Sequence, residues 1–512
     1  MADLAAPGNA LPRLARSRLP VPGIRRPPRA PEAGIVHLGL GNFHRAHQAV
    51  YTADALRHTE GPWGIRGVAT GRGRSGAHPV IEGMSQQDDL YTVLTLSQGS
   101  GPAAQVPGVH HRGLVAAHQT PEVVAAIGSD ATRIVSLTVT EKGYSLTAEG
   151  SSLDLDDPAV RADLSGRGDP MTAIGLLVRG LQHRLRGHAG PVTLLSCDNL
   201  MDNGGRLRAL LDTFIEALPM PERHDLQAYL AASASTPSTM VDRIVPATTD
   251  EHRALAARCF GVRDTVPVVA EPYRLWVLED DFRASRPAWE EAGAVFTADV
   301  APYELMKLRL LNGAHSLLAY FGLLRGLARM DQAVADEPVG AAVRAAMTDE
   351  ILPTLTLPEG VNGRAYVEEL LQRFANPALG HRTAQVGSDG SLKIPVRWAS
   401  AVEENLAAGR VPPVLALGVA AYIRVVTGGP DAYDEAALGA VADPATARLR
   451  QLAARAGGPA EAARILIESG GLLPEQVTGH AEFTSLVAEY ATALGSPRGI
   501  DAALREVLRT AR

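Results

Sequence analysis

Residues 34–47 read Gly34-Ile-Val-His-Leu-Gly39-Leu-Gly41-Asn42-Phe43-His44-Arg45-Ala-His47. An apolar run of strand type ends in a Gly-x-Gly turn, and a helical pattern through Tyr51 and Leu56 follows. In a strand, glycine turn and helix of this kind the backbone can approach a pyrophosphate, and the first helical turn offers free N–H groups to its negative charge. Gly39, Gly41, Asn42, Phe43, His44 and Arg45 are therefore candidate cofactor-binding residues. The third glycine of the usual dinucleotide fingerprint is missing, so the spacing alone leaves a methyltransferase-like nucleotide pocket open. His44 and His47, three apart, would share a helix face, but no carboxylate or cysteine cluster accompanies them and no metal site is expected. His44 and Arg45 read as first-turn residues near the phosphates, and His47 as a packing residue.

Working outward, short β-rich runs alternate with longer helical ones. Ile35 to Leu38, Gly64 to Ala69, Thr132 to Thr140, Pro191 to Cys197 and Val266 to Ala270 read as buried strands, which implies an α/β domain with a mainly parallel sheet. The second strand runs into Gly71-Arg72-Gly-Arg74, with no acid to hold a ribose 2′-hydroxyl, so NADP is not excluded beside NAD. After about residue 300 the strand signals nearly vanish. Val339 to Ile351, Ala365 to Phe374 and Ala460 to Ser469 carry helical pattern. The expected organisation is an extended basic arm over 1–33, a Rossmann-like domain over 34–300 and a mostly α-helical domain over 301–512.

The whole chain has 512 residues, 46% hydrophobic and 21% charged, the balance of a globular protein with more than one core. Its 49 basic and 56 acidic residues give a net charge of −7 without a lysine-rich block, which argues against nucleic acid as a partner. Cys197 and Cys259 are the only cysteines, too few for a disulfide framework, so a cytoplasmic setting is expected. The longest apolar stretch, Val414 to Val426, contains Arg424 and falls short of the roughly 20 residues that span a bilayer, so no membrane association is expected. Residues 12–30 hold six arginines and five prolines with no acid, and read as a solvated lead-in lying on the surface.

A second constellation is Glu304-Leu-Met-Lys307-Leu-Arg-Leu-Leu-Asn312-Gly-Ala-His315, inside an apolar helical pattern. At about 100° per residue Glu304, Lys307, Asn312 and His315 fall within an arc of roughly 140°. A buried lysine, amide and histidine on one face are costly unless paired or used, and desolvation lowers a lysine toward the range of a general base. A salt-bridged Glu304–Lys307 pair beside a satisfied core histidine fits the same pattern.

With these blocks the chain resembles the polyol-specific long-chain dehydrogenases, the family of mannitol 2-dehydrogenase and fructuronate reductase. The resemblance runs from about Gly34 into the C-terminal region. It rests on Gly39 to Gln48, Thr140-Glu-Lys-Gly-Tyr144, Leu195-Ser-Cys-Asp-Asn199, Ser238-Thr-Met-Val-Asp242-Arg-Ile-Val-Pro246, Lys307 to His315 and Asp389-Gly-Ser-Leu-Lys393. It implies NAD-dependent, metal-independent hydride transfer at a secondary alcohol of an open-chain sugar derivative, with the lysine helix where the helical domain meets the cofactor domain. It also implies Lys307 as general base, Asn199 and Asn312 as hydrogen-bond donors to the developing alkoxide, His315 as an orienting residue, and Glu304 as a relay of the lysine's proton to water. Asp242 and Lys393 are implied pocket residues by their place in the blocks. The family includes monomers, and no oligomeric state is legible.

For substrate, the Thr140 block, the Ser238 block and His381-Arg382-Thr-Ala-Gln385 look closer to uronate reductases. A ketouronate needs a cation for its carboxylate, which Arg382 or Lys393 could supply. Leu275, where many relatives carry glutamine, and Gly387-Ser388 ahead of Asp389 depart from the pattern, and leave room for mannitol, arabinitol or a phosphorylated hexitol.

Overall fold

The structure is a computed structural model that describes residues 11–21, 23–24, 27, 32–70, 78–97, 99, 101–139, 141–147, 150, 152–428, 435–496 and 498–510. Two compact units divide it, Met1–Ala301 and Pro302–Arg512.

In the first unit six parallel strands make one sheet: β1 (Ile35–Leu38), β2 (Ile65–Ala69), β3 (His110–Val115), β4 (Ile134–Leu137), β5 (Val192–Ser196) and β6 (Ala234–Ser235). Their order is β3-β2-β1-β4-β5-β6, the doubly wound order in which chain direction across the sheet reverses between β1 and β4. Side chains alternate along each strand, so each face has its own core. Val36, Leu38, Val135, Leu137 and Leu194 pack with helix residues such as Ile127, Leu177, Leu181 and Leu211. Ile35, Ile65, Ile134 and Leu195 pack on the other side with Tyr51, Trp276 and Trp289. Burial on both faces explains why these strands read as continuous apolar runs.

The expected strand at Val266 to Ala270 forms, over Val268–Ala270, but outside this sheet. It pairs in parallel with Val93–Thr95, which pairs antiparallel with Ala103–Gln105. An apolar run reports burial and not its partner, hence the misplacement. One face of this small sheet, through Val93, Val268 and Ala270, packs with Leu40, Ala46 and Val50. The other, through Leu94 and Val269, packs with Leu14, Leu19, Ile24, Phe260 and Val262.

Those last contacts correct the reading of residues 12–30 as a surface lead-in. Leu14, Leu19 and Ile24 are buried, the Leu14 amide donates to the Arg263 carbonyl at 2.9 Å, and Arg16 donates to the Gly108 carbonyl at 3.0 Å. Arg25, Arg26 and Arg29 lie outside the described residues.

The second unit is helical around one core that joins Leu317, Tyr320, Phe321, Val343, Leu370 and Trp398. The apolar stretch read around Val414 forms the helix Pro413–Thr427, buried along most of its length. Among the described residues no helix is long and apolar enough to cross a membrane.

Candidate active site

At the end of β1 the amides of Gly39 and Leu40 both donate to the Val68 carbonyl, at 2.9 and 3.1 Å, and turn the chain over the end of β2. Gly39 has φ +100°, and a Cβ there would lie 2.1 Å from the Thr138 carbonyl oxygen just beyond β4. Both the left-handed backbone and the close approach demand glycine. A Cβ on Gly41 would meet nothing nearer than 3.7 Å, so the turn leaves an open face there. The helix that follows is broken at His47 into α1 (Asn42–Ala46) and α2 (Gln48–Ala55).

A buried polar network lies beneath the turn. His37 Nδ1 sits 2.9 Å from Ser136 Oγ and its Nε2 2.9 Å from Thr138 Oγ1, while Thr138 Oγ1 donates to the Gly39 carbonyl at 2.9 Å. The His37 and His44 rings stack at 3.4 Å. His44 Nδ1 pairs with Gln48 Oε1 at 2.9 Å and its Nε2 with His110 Nε2 at 3.1 Å. Burial pushes His37, His47 and His110 down to about 3, and His44 well below the ordinary imidazole value, so the four rings are neutral.

Of the cofactor-binding candidates, then, His44 and Arg45 are turned inward. Arg45 is 2% exposed and donates to the Gly41 and Val266 carbonyls and to Asn42 Oδ1. Its guanidinium braces the turn from behind. Phe43 stacks on His47, whose Nε2 lies 3.0 Å from the Leu275 carbonyl. The groups left facing outward are Gly41, which is exposed, and the half-buried Asn42 and Phe43 at the start of α1.

Beyond β2, β3 and β4 a cavity of about 480 Å³ opens, lined among others by Thr70, Ala116, Thr120, Val139 and Met171. Open α/β sheets take ligands at this carboxyl end. The wall at Met171 is set by buried Asp163, whose carboxylate accepts from the amides of Met171 and Thr172 at 2.7 and 2.9 Å. Sequence reasoning did not find this wall, since nothing local ties Asp163 to residues eight and nine positions on. Arg72, Arg74 and Thr140 lie outside the described residues.

Asn199 stands exposed three residues beyond β5. Its neighbour Asp198 is buried and accepts from Tyr144 Oη at 2.8 Å, which fixes the chain from which Asn199 projects. Asp242 ends the strand Thr239–Asp242, 4% exposed and paired in register with Leu275, and its charge acts on His47 and on Tyr51.

In the second unit Glu304, Lys307 and Asn312 are buried and His315 is partly exposed. The helix carrying them is not uniform. It is α-helical over Ala301–Met306, a π-helix over Lys307–Asn312, and α-helical again over Gly313–Leu324. This corrects the uniform 100° step. In a π-turn the bonds run i→i+5, so residues five apart, Lys307 and Asn312, are brought over one another rather than roughly 140° apart. The turn is held from outside. Arg397 Nη1 donates to the Asn312 carbonyl at 3.0 Å and to Ser316 Oγ at 2.9 Å, and Trp398 Nε1 donates to the Gly313 carbonyl at 3.2 Å. Buried Arg309 reaches Thr354 and Glu404 Oε1.

His315 packs on Phe374, ring centroids 4.4 Å apart, with His381 edge-on at 6.2 Å. Burial lowers its pKa most, and His381, Arg397, Arg373 and Lys393 lower it further. Lys393, expected to meet a substrate carboxylate, donates to the carbonyls of Val386 at 3.2 Å and Ser388 at 2.6 Å; burial, aided by Arg397, brings it down to about 8. Its charge reaches the His315 site, but its hydrogen bonds close the short helix Thr383–Gly387. Arg382 is exposed at the start of that helix. Among the described residues no group of three or more His, Cys, Asp and Glu converges as a metal site.

The doubly wound sheet with its glycine turn is of the Rossmann, nucleotide-binding type. Residues 33–291 match the mannitol dehydrogenase Rossmann domain and residues 299–493 the mannitol dehydrogenase C-terminal domain. The D-mannonate oxidoreductase of Escherichia coli is 38% identical over 458 residues, 89% of this chain and 92% of that protein. A mannitol 2-dehydrogenase of Phaeosphaeria nodorum is 36% identical over 77% of this chain and 69% of its own length. The solved mannitol 2-dehydrogenase of Pseudomonas fluorescens, a ternary complex with NAD and D-mannitol, superposes with a TM-score of 0.83 at 31% identity, over 97% of this chain and 99% of that one. The chain belongs to the mannitol dehydrogenase family.

Proposed function

We propose that this enzyme interconverts a hexonate and its keto-acid, a D-mannonate/D-fructuronate type of reaction, with NAD as hydride carrier. The observation that carries the choice of a sugar acid is the set of groups acting on His315. Arg373, Lys393 and Arg397 are cationic, and with His381 they all disfavour a further positive charge there. The same field stabilises a carboxylate. The 38% identity to D-mannonate oxidoreductase over most of both chains supports the same substrate class.

Bound NAD supplies a two-electron hydride acceptor. Exposed Gly41 and the start of α1, braced by Arg45, and the cavity beyond β2 to β4 fit its pyrophosphate and adenosine. On oxidation the carbinol carbon would give its hydrogen as hydride to the bound carrier, and the Lys307 amine would take the hydroxyl proton, leaving the ketone. Reduction returns both. The Asn199 and Asn312 amides donate to the oxygen as charge grows on it. His315, neutral, hydrogen-bonds a neighbouring hydroxyl, and Glu304, one helical turn before the lysine, passes its proton to solvent. In this reading Asp242 contacts a hydroxyl, and Arg382 and Lys393 add positive charge near the acid end.

The test is nicotinamide absorbance with NADH, and separately NADPH, against fructuronate, tagaturonate, fructose and fructose 6-phosphate. NADH consumption fastest with a ketouronate is expected. Turnover of fructose with both ketouronates silent overturns the sugar-acid reading. It would favour a neutral polyol, the reading supported by structural similarity along 97% of the chain to an enzyme solved with D-mannitol.

A further inference from the structure

We propose that Arg397 and Trp398 are positioning residues. By holding the carbonyls of Asn312 and Gly313, they keep the π-turn that puts Lys307 and Asn312 on one face. The proposal rests on the reading of Lys307 and Asn312 as reacting groups.

A π-turn is rare because a regular α-helix is the easier backbone, and it persists where the surroundings over-determine it. Here the surroundings are specific. The chain breaks between the helices Gly390–Arg397 and Ala399–Ala407, and two consecutive side chains at that break reach the same place in the lysine helix. Trp398 is fully buried and lies in a slot made by two glycines. A Cβ on Gly313 would come 3.4 Å from its Nε1, and a Cβ on Gly418 would come 3.2 Å from the far edge of its ring. Its indole N–H is thereby aimed at the Gly313 carbonyl. Arg397 spans the Asn312 carbonyl and Ser316 Oγ with one nitrogen, bridging the last residue of the π-turn and the α-helix after it. Arg309 anchors the middle of the turn to Thr354 and to Glu404, the latter on the helix that follows Trp398. With the turn tied at its middle and at its end, its extra residue is kept from sliding along the helix. A slide would carry Lys307 and Asn312 back toward the wide separation of a plain α-helix.

Trp398→Phe keeps an aromatic ring in the slot and removes the N–H together with part of the indole. Arg397→Lys keeps the charge that acts on the His315 site and removes the two-point reach. In the double variant kcat should fall by about tenfold to a hundredfold, as expected for misplaced reacting groups, with the KM for NADH within about twofold of wild type. The pH-rate limb lost in Lys307→Ala should shift in the double variant, and amides of residues 308–314 should exchange faster by mass-resolved hydrogen exchange. A kcat, pH profile and exchange pattern equal to wild type overturn the proposal. So does a loss confined to the KM of the sugar substrate, which would make Arg397 a simple charge for the ligand. If the double variant does not fold, Arg397→Lys alone is judged by the same three readings. If Lys307→Ala keeps full activity while the variants speed exchange in the turn, the catalytic reading fails and the brace stands.

Discussion

Lowering the pH from 7.5 to 5.0 should unfold the first unit through its own buried imidazoles. His37, His47 and His110 each have a folded-state pKa of about 3 against 6.5 in an unfolded chain. A folded pKa below the unfolded one means that the unfolded chain binds protons first. The stability these groups allow is therefore complete above about pH 6.5 and is lost as pH falls from there toward 3. At pH 5.0 each unfolded imidazole is stabilised by about 2 kcal/mol, so the three together cost about 6 kcal/mol, comparable to the whole stability of many domains. His44 adds to this in the same direction. Protonating the rings in place offers no escape, since His47 Nδ1 and His110 Nδ1 are buried without an acceptor for a second N–H. The assay is urea unfolding followed by tryptophan emission, because Trp63, Trp276 and Trp289 all sit in the core of the first unit. The midpoint should fall steeply between pH 6.5 and 5.0. A midpoint unchanged over that range, or imidazole resonances of these residues titrating near 6, would refute the reasoning.

Gly39→Ala should abolish measurable NADH binding by fluorescence titration while the protein still folds, since a Cβ 2.1 Å from the Thr138 carbonyl forces the turn off the end of β4. Lys307→Ala should reduce kcat by about a hundredfold or more at neutral pH with the NADH dissociation constant nearly intact, because the lysine handles the proton and not the nucleotide; steady-state kinetics beside a binding titration check both. Glu350, buried where it accepts from the amides of Val414 and Leu415, is pushed up to about 7 by burial. A raised carboxyl stabilises the fold as pH falls through 7, so wild type should gain up to about 3 kcal/mol on Glu350→Gln between pH 8 and 5, read by chemical denaturation of the two proteins.

The strand, glycine turn and helix at residue 34 were legible because an apolar run ending in Gly-x-Gly has few other uses. β3 was not, because His110-His-Arg-Gly is polar: His110 is buried where it meets His44, a partner 66 positions away, and Tyr91. Leu14, Leu19 and Ile24 were hidden among arginines and prolines, and their spacing follows neither a strand nor a helix period. In the lysine helix the residues were legible and the geometry was not, although five positions from Lys307 to Asn312 is itself an i→i+5 spacing. The carbonyls that take up Lys393 come from backbone around it, which no side-chain pattern reports.

The small sheet of Val93–Thr95, Ala103–Gln105 and Val268–Ala270 is a shared wall, with the glycine-turn helix on one side and the segment around Leu14 to Ile24 on the other. Arg45 adds a direct tie, from that helix to the Val266 carbonyl at the sheet's edge. We expect occupancy of the turn and docking of the N-terminal segment to be coupled across this wall, and coupling between binding free energies is reciprocal. Saturating cofactor should slow proteolytic trimming of that segment, and removing the segment should weaken cofactor binding by the same factor.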